Sequence, residues 1–303
     1  MSSLDPGNPL LVAVMGATAS GKTDLAESLA EHLGAQLINA DAFQAYRGMD
    51  IGTAKPDRRE LYRLLDLKDP NQTYGVGEFC NLTRPILDEL WNAGRSAVVV
   101  GGTGLYIRAL FERYSGLKPE PDQALRDRLQ ERLREEGPEA LLSELEGLDP
   151  AAHKRIDYRN PVRITRALER ALDRRPAEPI EIPPFTRVKF GLSINKAVLA
   201  ERIEDRARRM VQNGWVHEVQ ALLSAGYGPG DPGFRAIGYG EIAAYLMGKT
   251  DLEGAIAAAI AETRRYAKRQ RTWLRSEPGL RQLDPTASDL LGQAKQAIRS
   301  VTA

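Results

Sequence analysis

The chain has 303 residues, 42% of them hydrophobic and 27% charged, and 42 Lys plus Arg against 41 Asp plus Glu leave a formal net charge of +1. That composition excludes a disordered chain and suffices for one large domain or two moderate ones, while the balanced charge means that any site for a polyanion must come from local clustering. No apolar stretch approaches the roughly 20 residues of a membrane span, and Met1 to Pro6 lacks a basic region leading into an apolar core, so a soluble cytoplasmic protein with no membrane partner is expected. The lone Cys80 has no internal disulfide partner and reads as a small buried apolar residue, and the separated His32, His153 and His217 offer no metal-ligand spacing.

In chain order, the apolar run Leu10 to Met15 predicts a buried strand that enters Gly16-Ala17-Thr18-Ala19-Ser20-Gly21-Lys22-Thr23 and then an amphipathic helix from Asp24. This is G-x-x-x-x-G-K-[ST] in its required context, strand before and helix after. Its glycines let backbone N–H groups and the positive end of the helix face a phosphate. Lys22 adds a point charge that reaches the terminal phosphate, and Thr23 is placed to ligate magnesium, so a diphosphate or triphosphate is the expected ligand. Ala35 to Asp41 reads as a second buried strand ending in a carboxylate, which an open parallel sheet would bring to the same crevice as the phosphate loop. Ala42 to Pro56 has neither strand nor helix period and is a long loop of the kind that carries function.

Arg63 to Leu67 suggests a short strand, and Val76 to Trp91 an amphipathic helix stopped by Gly94. Ser96 to Val100 is a further buried strand, followed by Gly101-Gly102-Thr103-Gly104 and a helix from Leu105 to about Arg113. Alternating strand and helix imply a parallel sheet with helices on both faces. Between two proline clusters (Pro119, Pro121; Pro176, Pro179, Pro183, Pro184) lie charged helical repeats with no strand pattern, so 115–184 is expected to be a helical insertion domain dividing a core of 1–114 and 185–303. The strand pattern resumes at Val188 to Ile194, an amphipathic helix is expected from Lys196 to Asn213, and a last helix from Leu252 to Arg275 carries Arg264, Arg265, Lys268, Arg269, Arg271 and Arg275 with Glu262 as the only nearby acid. Such a stripe favours a phosphate backbone as partner, although arginines also decorate structural helices. A P-loop kinase would share the cradle, yet the strand Val98-Val99-Val100-Gly101-Gly102 ends without the second magnesium carboxylate such an enzyme uses.

The phosphate loop, Asp41 with Gln44 to Pro56, Gly101 to Tyr106, Arg163 with Arg166 to Glu169, Ala236 to Tyr239, and Ala267-Lys268-Arg269-Gln270 with Thr272-Trp273 together resemble the bacterial tRNA dimethylallyltransferases over nearly the whole chain. The resemblance implies a P-loop NTPase-like α/β fold and transfer of a dimethylallyl group from dimethylallyl diphosphate to N6 of the adenine next to the anticodon, in tRNAs reading codons that begin with U. It implies magnesium as cofactor and tRNA, held by its anticodon stem-loop, as partner, with a monomer expected. By the same resemblance Asp41 is the base, with Lys22, Thr23 and Arg235 stabilising the leaving diphosphate. The tRNA would be met by Asp41, Ala42, Phe43, Gln44, Thr103, Arg126, the segment Val162-Arg163-Ile164-Thr165-Arg166, Arg235, Gly238, Tyr239, Lys268 and Arg269. The residues alone leave Asp41 open as a turn cap, magnesium ligand or base, Thr103 as a helix cap, and Trp273 as a core anchor. Ala42 stands where the family often has serine, and Gly240 where a basic or polar residue is common. The rival readings are an adenylate dimethylallyltransferase acting on free AMP or ATP, against which the insertion and basic stripe count, a small-molecule kinase, and a GTPase-like RNA-binding module that lacks a guanine-specifying run.

Overall fold

A computed structural model describes residues 9–112, 122–173 and 182–302. In order come β1 (Leu10–Gly16), α1 (Lys22–Leu33), β2 (Gln36–Asn39), β3 (Tyr62–Arg63), α2 (Val76–Asn92), β4 (Ala97–Gly101) and α3 (Gly104–Phe111). Then follow α4 (Gln123–Leu148), α5 (Pro150–Arg155), α6 (Pro161–Leu172), β5 (Thr186–Leu192) and α7 (Lys196–Gln212). The chain closes with α8 (Trp215–Ser224), α9 (Tyr239–Leu246), α10 (Leu252–Arg275), β6 (Leu280–Leu283) and α11 (Leu290–Thr302).

The six strands form one parallel sheet in the order β3-β2-β4-β1-β5-β6. β1 is apolar at every position because both faces are covered. Leu10, Val12 and Val14 pack with Leu25 and Leu29 of α1 and Ala294 and Ile298 of α11, while Leu11, Ala13 and Met15 are buried on the opposite face, where α10 meets β1. Each such side chain removed from water contributes on the order of 1.5–3 kcal/mol. The connection from β1 runs to β2 on one side, and the one from β4 crosses to β5 on the other, so they diverge at the carboxyl ends of β1 and β4. Open α/β sheets hold their ligands there.

Three expectations change. The strand expected over Arg63–Leu67 stops at Arg63, because Leu64 and Asp66 take left-handed backbone (φ 68° and 54°) and turn the chain away from the sheet. The buried strand before Asp41 ends at Asn39, with Ala40 still donating its N–H to Val100 O at 2.8 Å. Beyond Arg275 the sheet gains β6 and α11, which no sequence pattern had marked.

Residues 122–173 fall in a second compact unit, helical throughout its described elements, with Leu129, Leu141, Leu145, Ile164 and Leu168 in its core. Asp122, Asp149 and Asn160 cap its helices by accepting Leu125, Ala152 and Arg163 N–H, and Gly137 (φ 81°) followed by Pro138 breaks α4. Pro119, Pro121, Pro176 and Pro179 lie outside the described residues. Cys80 is buried and its thiol is pushed up to about 12 by burial, as an inert core residue requires. No helix among the described residues is long and apolar enough to cross a membrane.

Candidate functional site

At the end of β1 the chain wraps from Gly16 to Gly21 with left-handed backbone at Ala19 (φ 62°) and Gly21 (φ 86°). Such a φ is uncommon for alanine and marks a loop whose shape is imposed by its surroundings. A side chain at Gly16 would put its Cβ 2.5 Å from Ser20 Oγ and 3.1 Å from Leu192 Cβ, so only glycine fits. Of the eight loop residues, Thr18, Ala19, Lys22 and Thr23 line a cavity of about 350 Å³, whereas Ala17 and Ser20 are buried beneath it. Gln270 of α10 ties the loop to the end of β4, accepting Thr18 N–H and donating to Gly102 O, each at 2.9 Å. Lys22 Nζ donates to Ala17 O at 2.8 Å. Burial pushes its ammonium down to about 8, against the pull of the Asp41 carboxylate and with help from Arg206.

Asp41 stands two residues past β2 on the same cavity. The buried Asn39 side chain fixes it, accepting Asp41 N–H at 3.0 Å and donating to Asp41 O at 3.1 Å and Leu64 O at 3.0 Å. Asp41 Oδ1 accepts Phe43 N–H at 3.0 Å, while Oδ2 accepts no hydrogen bond from the described residues. Room for Oδ2 comes from Gly102, where an added Cβ would lie 3.4 Å away, and Gly101 is required because a Cβ there would meet Ala40 carbonyl at 2.2 Å. One oxygen is thus spent on orientation and the other is open to a substrate. Thr103 stands at the N-cap of α3, but its hydroxyl turns away from that helix and accepts Ala42 N–H at 3.1 Å, joining the two strand ends. Trp273 anchors α10 against Gly104, beneath the Arg108 guanidinium, as its core reading required.

The long loop after Asp41 is held from within and from afar. Lys55, its side chain fully buried, donates to Tyr46 O at 2.6 Å and pairs with Asp50 at 2.7 Å and with Asp66. Gln44 Nε2 donates to Thr53 O and Ala54 O at 3.1 and 2.9 Å. Glu218 of α8 accepts the N–H groups of Asp50, Ile51 and Gly52 at 2.7, 2.7 and 3.1 Å, and Tyr239 OH at 2.6 Å. Arg235 reaches the cavity rim from the turn Gly233–Arg235, which docks on the segment between β3 and α2 through Gly233 N–H to Pro70 O at 2.8 Å. The Trp215 ring fills the space beside Gly52 and Gly238, and a Cβ at Gly238 (φ 95°) would stand 2.0 Å from it. Gly238→Ala is expected to cost about 2–4 kcal/mol by backbone strain plus overpacking, read as a lowered urea midpoint at unchanged slope.

Several residues expected at the RNA surface sit otherwise. The side chains of Ile164 and Tyr239 are wholly buried, one in the insertion core and the other on Glu218, and Gly238 N–H is taken by Glu241 at 2.9 Å. Gln44 spends its amide inside the loop. Arg126 and Arg166 both pair with Glu169, at 2.8 and 2.6 Å, and Arg163 lies 3.8 Å from Asp157. Val162 is 64% exposed, and Thr165 bonds back to Val162 O at 3.1 Å. On α10 Glu262 is not the only acid: α7 packs alongside and supplies Glu204 to Arg264 at 3.1 Å, while Arg265 pairs with Glu262. Lys268, Arg269, Arg271 and Arg275 have no ion pair among the described residues, and Arg269 lies over the Tyr266 ring on the cavity wall. Arg206, Glu218, Lys55 and Gln270 escaped the sequence reading as site residues. Only Gln270 carried a signal, a polar residue on the buried stripe Ala267, Gln270, Leu274.

A parallel sheet whose first strand feeds a lysine-bearing glycine loop, with a lone carboxylate beside it at the next strand's end, defines the P-loop class of α/β proteins. The IPP transferase family pattern is matched over residues 44–277 and the isopentenyl transferase pattern over 9–66. The chain is 40% identical over 291 residues to a protein of Geobacter sulfurreducens named tRNA dimethylallyltransferase, covering 92% of this chain and 93% of that one, and 40% identical to its namesake in Gloeobacter violaceus, covering 91% and 93%. Among solved structures, the tRNA isopentenylpyrophosphate transferase of Bacillus halodurans superposes with a TM-score of 0.72 at 34% identity over 97% of this chain and 96% of that one. A eukaryotic dimethylallyltransferase acting on tRNA shares the fold, at a TM-score of 0.77 and 22% identity over 97% of this chain and 79% of that one. The chain belongs to the IPP transferase family.

Proposed function

We propose that this protein is a tRNA dimethylallyltransferase, transferring the dimethylallyl group of dimethylallyl diphosphate to N6 of the adenine next to the anticodon in tRNAs that read codons beginning with U. The observation that carries the reading is Asp41 Oδ2, free of hydrogen bonds on the same cavity as Lys22 and Thr23. An exocyclic adenine amine is a poor nucleophile, because its lone pair is delocalised into the ring. As N6 bonds to the allylic carbon, the carbon–oxygen bond to diphosphate breaks and the N6 proton passes to Asp41 Oδ2. The electron pair of the broken bond stays on the diphosphate, near Lys22, the loop N–H groups and Arg235. Ile203, Met210 and Trp215 give the cavity an apolar wall that keeps water from an allylic centre carrying positive charge.

Magnesium belongs to the proposal. Among the described residues no cluster of carboxylates, histidines or cysteines forms a metal cage, but the exposed Thr23 hydroxyl on the cavity wall suits an ion held mainly by phosphate oxygens and water. The ion would neutralise charge growing on the diphosphate.

The test is transfer from labelled dimethylallyl diphosphate, with magnesium, to unmodified tRNA whose anticodon ends in A and is followed by A, run beside free AMP and ATP. Label mapped to that adenine supports the reading. Label in free nucleotide alone replaces it with an adenylate prenyltransferase, and label in neither overturns prenyl transfer. The pH dependence is set by Lys22, which is charged below about 8 and neutral above it in the free protein. Because kcat/KM follows groups in the free enzyme, kcat/KM for the diphosphate is expected to fall as pH rises through 8, with kcat less affected once the bound anion holds the proton on. A flat profile from pH 7 to 9 would remove Lys22 as the titrating cation.

A further inference from the structure

The cavity runs from a charged end to an apolar one. Gln270, Tyr266, Thr263 and Ala259 line it as one face of α10, and Ala259 lies about 16 Å along that helix from Gln270, which holds the phosphate loop. At the far end Ala259 packs in one cluster with Trp215, Ala236 and Tyr239, and Met210 of α7 packs against it. Polar side chains on these walls spend their donors on the backbone: Thr263 on Ala259 O at 2.7 Å, Thr53 on Met49 O, and the Gln44 amide on Thr53 O and Ala54 O. None of the three has a hydrogen left for a polar ligand, so this end suits hydrocarbon. The Trp215 ring, 3% exposed, closes it. A Cβ at Gly52 would stand 2.1 Å from Trp215 Nε1, and Tyr239 meets the ring edge-to-face at 6.0 Å, so the indole is wedged and has no room to swing aside. Its N–H finds no hydrogen-bond partner among the described residues, although buried indoles usually have one. The fold bears that cost, so what the residue supplies is shape.

We infer that Trp215, backed by Met210, sets the length of the prenyl chain that the site accepts and stops it at one five-carbon unit. The diphosphate is held at the charged end, so the chain bonded to it extends toward the apolar end. A second isoprene unit would have to enter the volume of the indole, and a close-packed wall does not yield by that much. Replacing the indole by the isobutyl group of leucine removes more heavy atoms than the five carbons that a second unit adds. The chemistry is indifferent to length. With a longer donor N6 still bonds to the first carbon of the chain, the bond from that carbon to oxygen breaks with its electron pair passing to diphosphate, and the N6 proton goes to Asp41. Only the wall distinguishes the donors. The inference rests on the proposed transfer for the identity of the donor, but the length preference is also measurable as binding.

The experiment offers dimethylallyl diphosphate and geranyl diphosphate, with magnesium and unmodified tRNA, to wild type, Trp215→Phe, Trp215→Leu, Met210→Ala and Leu222→Ala. The quantity read is the ratio of kcat/KM for geranyl to that for dimethylallyl. Wild type is expected to favour dimethylallyl by about 100-fold, the scale on which an apolar pocket discriminates by size. Trp215→Leu should raise the ratio at least about tenfold, and Trp215→Phe and Met210→Ala by less, because each frees less space. Leu222 belongs to the same apolar cluster but does not line the cavity, so Leu222→Ala, which loosens the cluster from behind, should leave the ratio within about twofold. Equal losses with both donors in the Trp215 variants would make the ring a structural residue only and overturn the inference, as would a wild type that uses geranyl as readily as dimethylallyl. Should Trp215→Leu fail to fold, an unmoved ratio in both Trp215→Phe and Met210→Ala overturns it. Calorimetric titration with the two donors in the absence of tRNA separates this inference from the reading it rests on. A preference for the shorter donor that Trp215→Leu erases, in a protein that does not prenylate tRNA, would uphold the stop and overturn the proposed function instead.

Discussion

Asp41→Asn is expected to lower the rate of prenyl transfer by about 100- to 10,000-fold, the range that positioned general bases contribute. The substitution is chosen because asparagine keeps a carbonyl oxygen for Phe43 N–H, the contact that orients the side chain at 3.0 Å. Asn39 continues to hold the backbone on either side, so neither the loop nor the thermal midpoint should move. The change falls on Oδ2, which becomes an amide nitrogen unable to take a proton from adenine N6. Single-turnover transfer and tRNA binding, measured on the same preparation, separate the outcomes. Slow transfer with normal tRNA affinity fits the base. Near-normal transfer would remove Asp41 from the proton path, and lost affinity with normal chemistry would make it an RNA contact.

Glu218→Ala should produce a large loss of stability. The carboxylate accepts three consecutive backbone N–H groups of the long loop and the buried Tyr239 hydroxyl. Removing it strands four donors, and with partial rehydration we expect about 3 kcal/mol, read as a lowered denaturant midpoint. Because Gly52 and Thr53 form part of the cavity wall, the folded variant should also show a raised KM for tRNA. Glu218→Gln keeps one carbonyl oxygen and should recover part of both losses. A variant as stable as wild type would mean that Lys55 and its carboxylates hold the loop alone.

The phosphate loop was legible because its meaning is local: eight adjacent residues between an apolar strand and an amphipathic helix set their own backbone path and ligand class. The same holds for β1 and β4, whose uninterrupted apolar runs announce strands buried on both faces. Asp41 was placed at the crevice by topology alone, since a strand end in a parallel sheet must point there. Where local pattern was weak, elements were lost. β6 reads Leu-Arg-Gln-Leu and owes its place to the edge that β5 offers, and β3 stops after two residues where Leu64 turns left-handed.

What the sequence determined by itself was the phosphate-loop motif, the parallel sheet and the family, because these follow from contiguous residues. The tertiary structure alone decided which side chains face the cavity. Gln270 reaches Thr18 across 252 positions and Glu218 reaches Asp50 across 168, distances at which no periodicity survives. It also sorted the arginines: Arg264 and Arg126 answer carboxylates brought by packing, while Arg206 of α7 is left without a partner among the described residues beside the phosphate loop. A charge's role depends on which charges the fold sets within a few ångströms of it, and that neighbourhood exists only once the chain has closed.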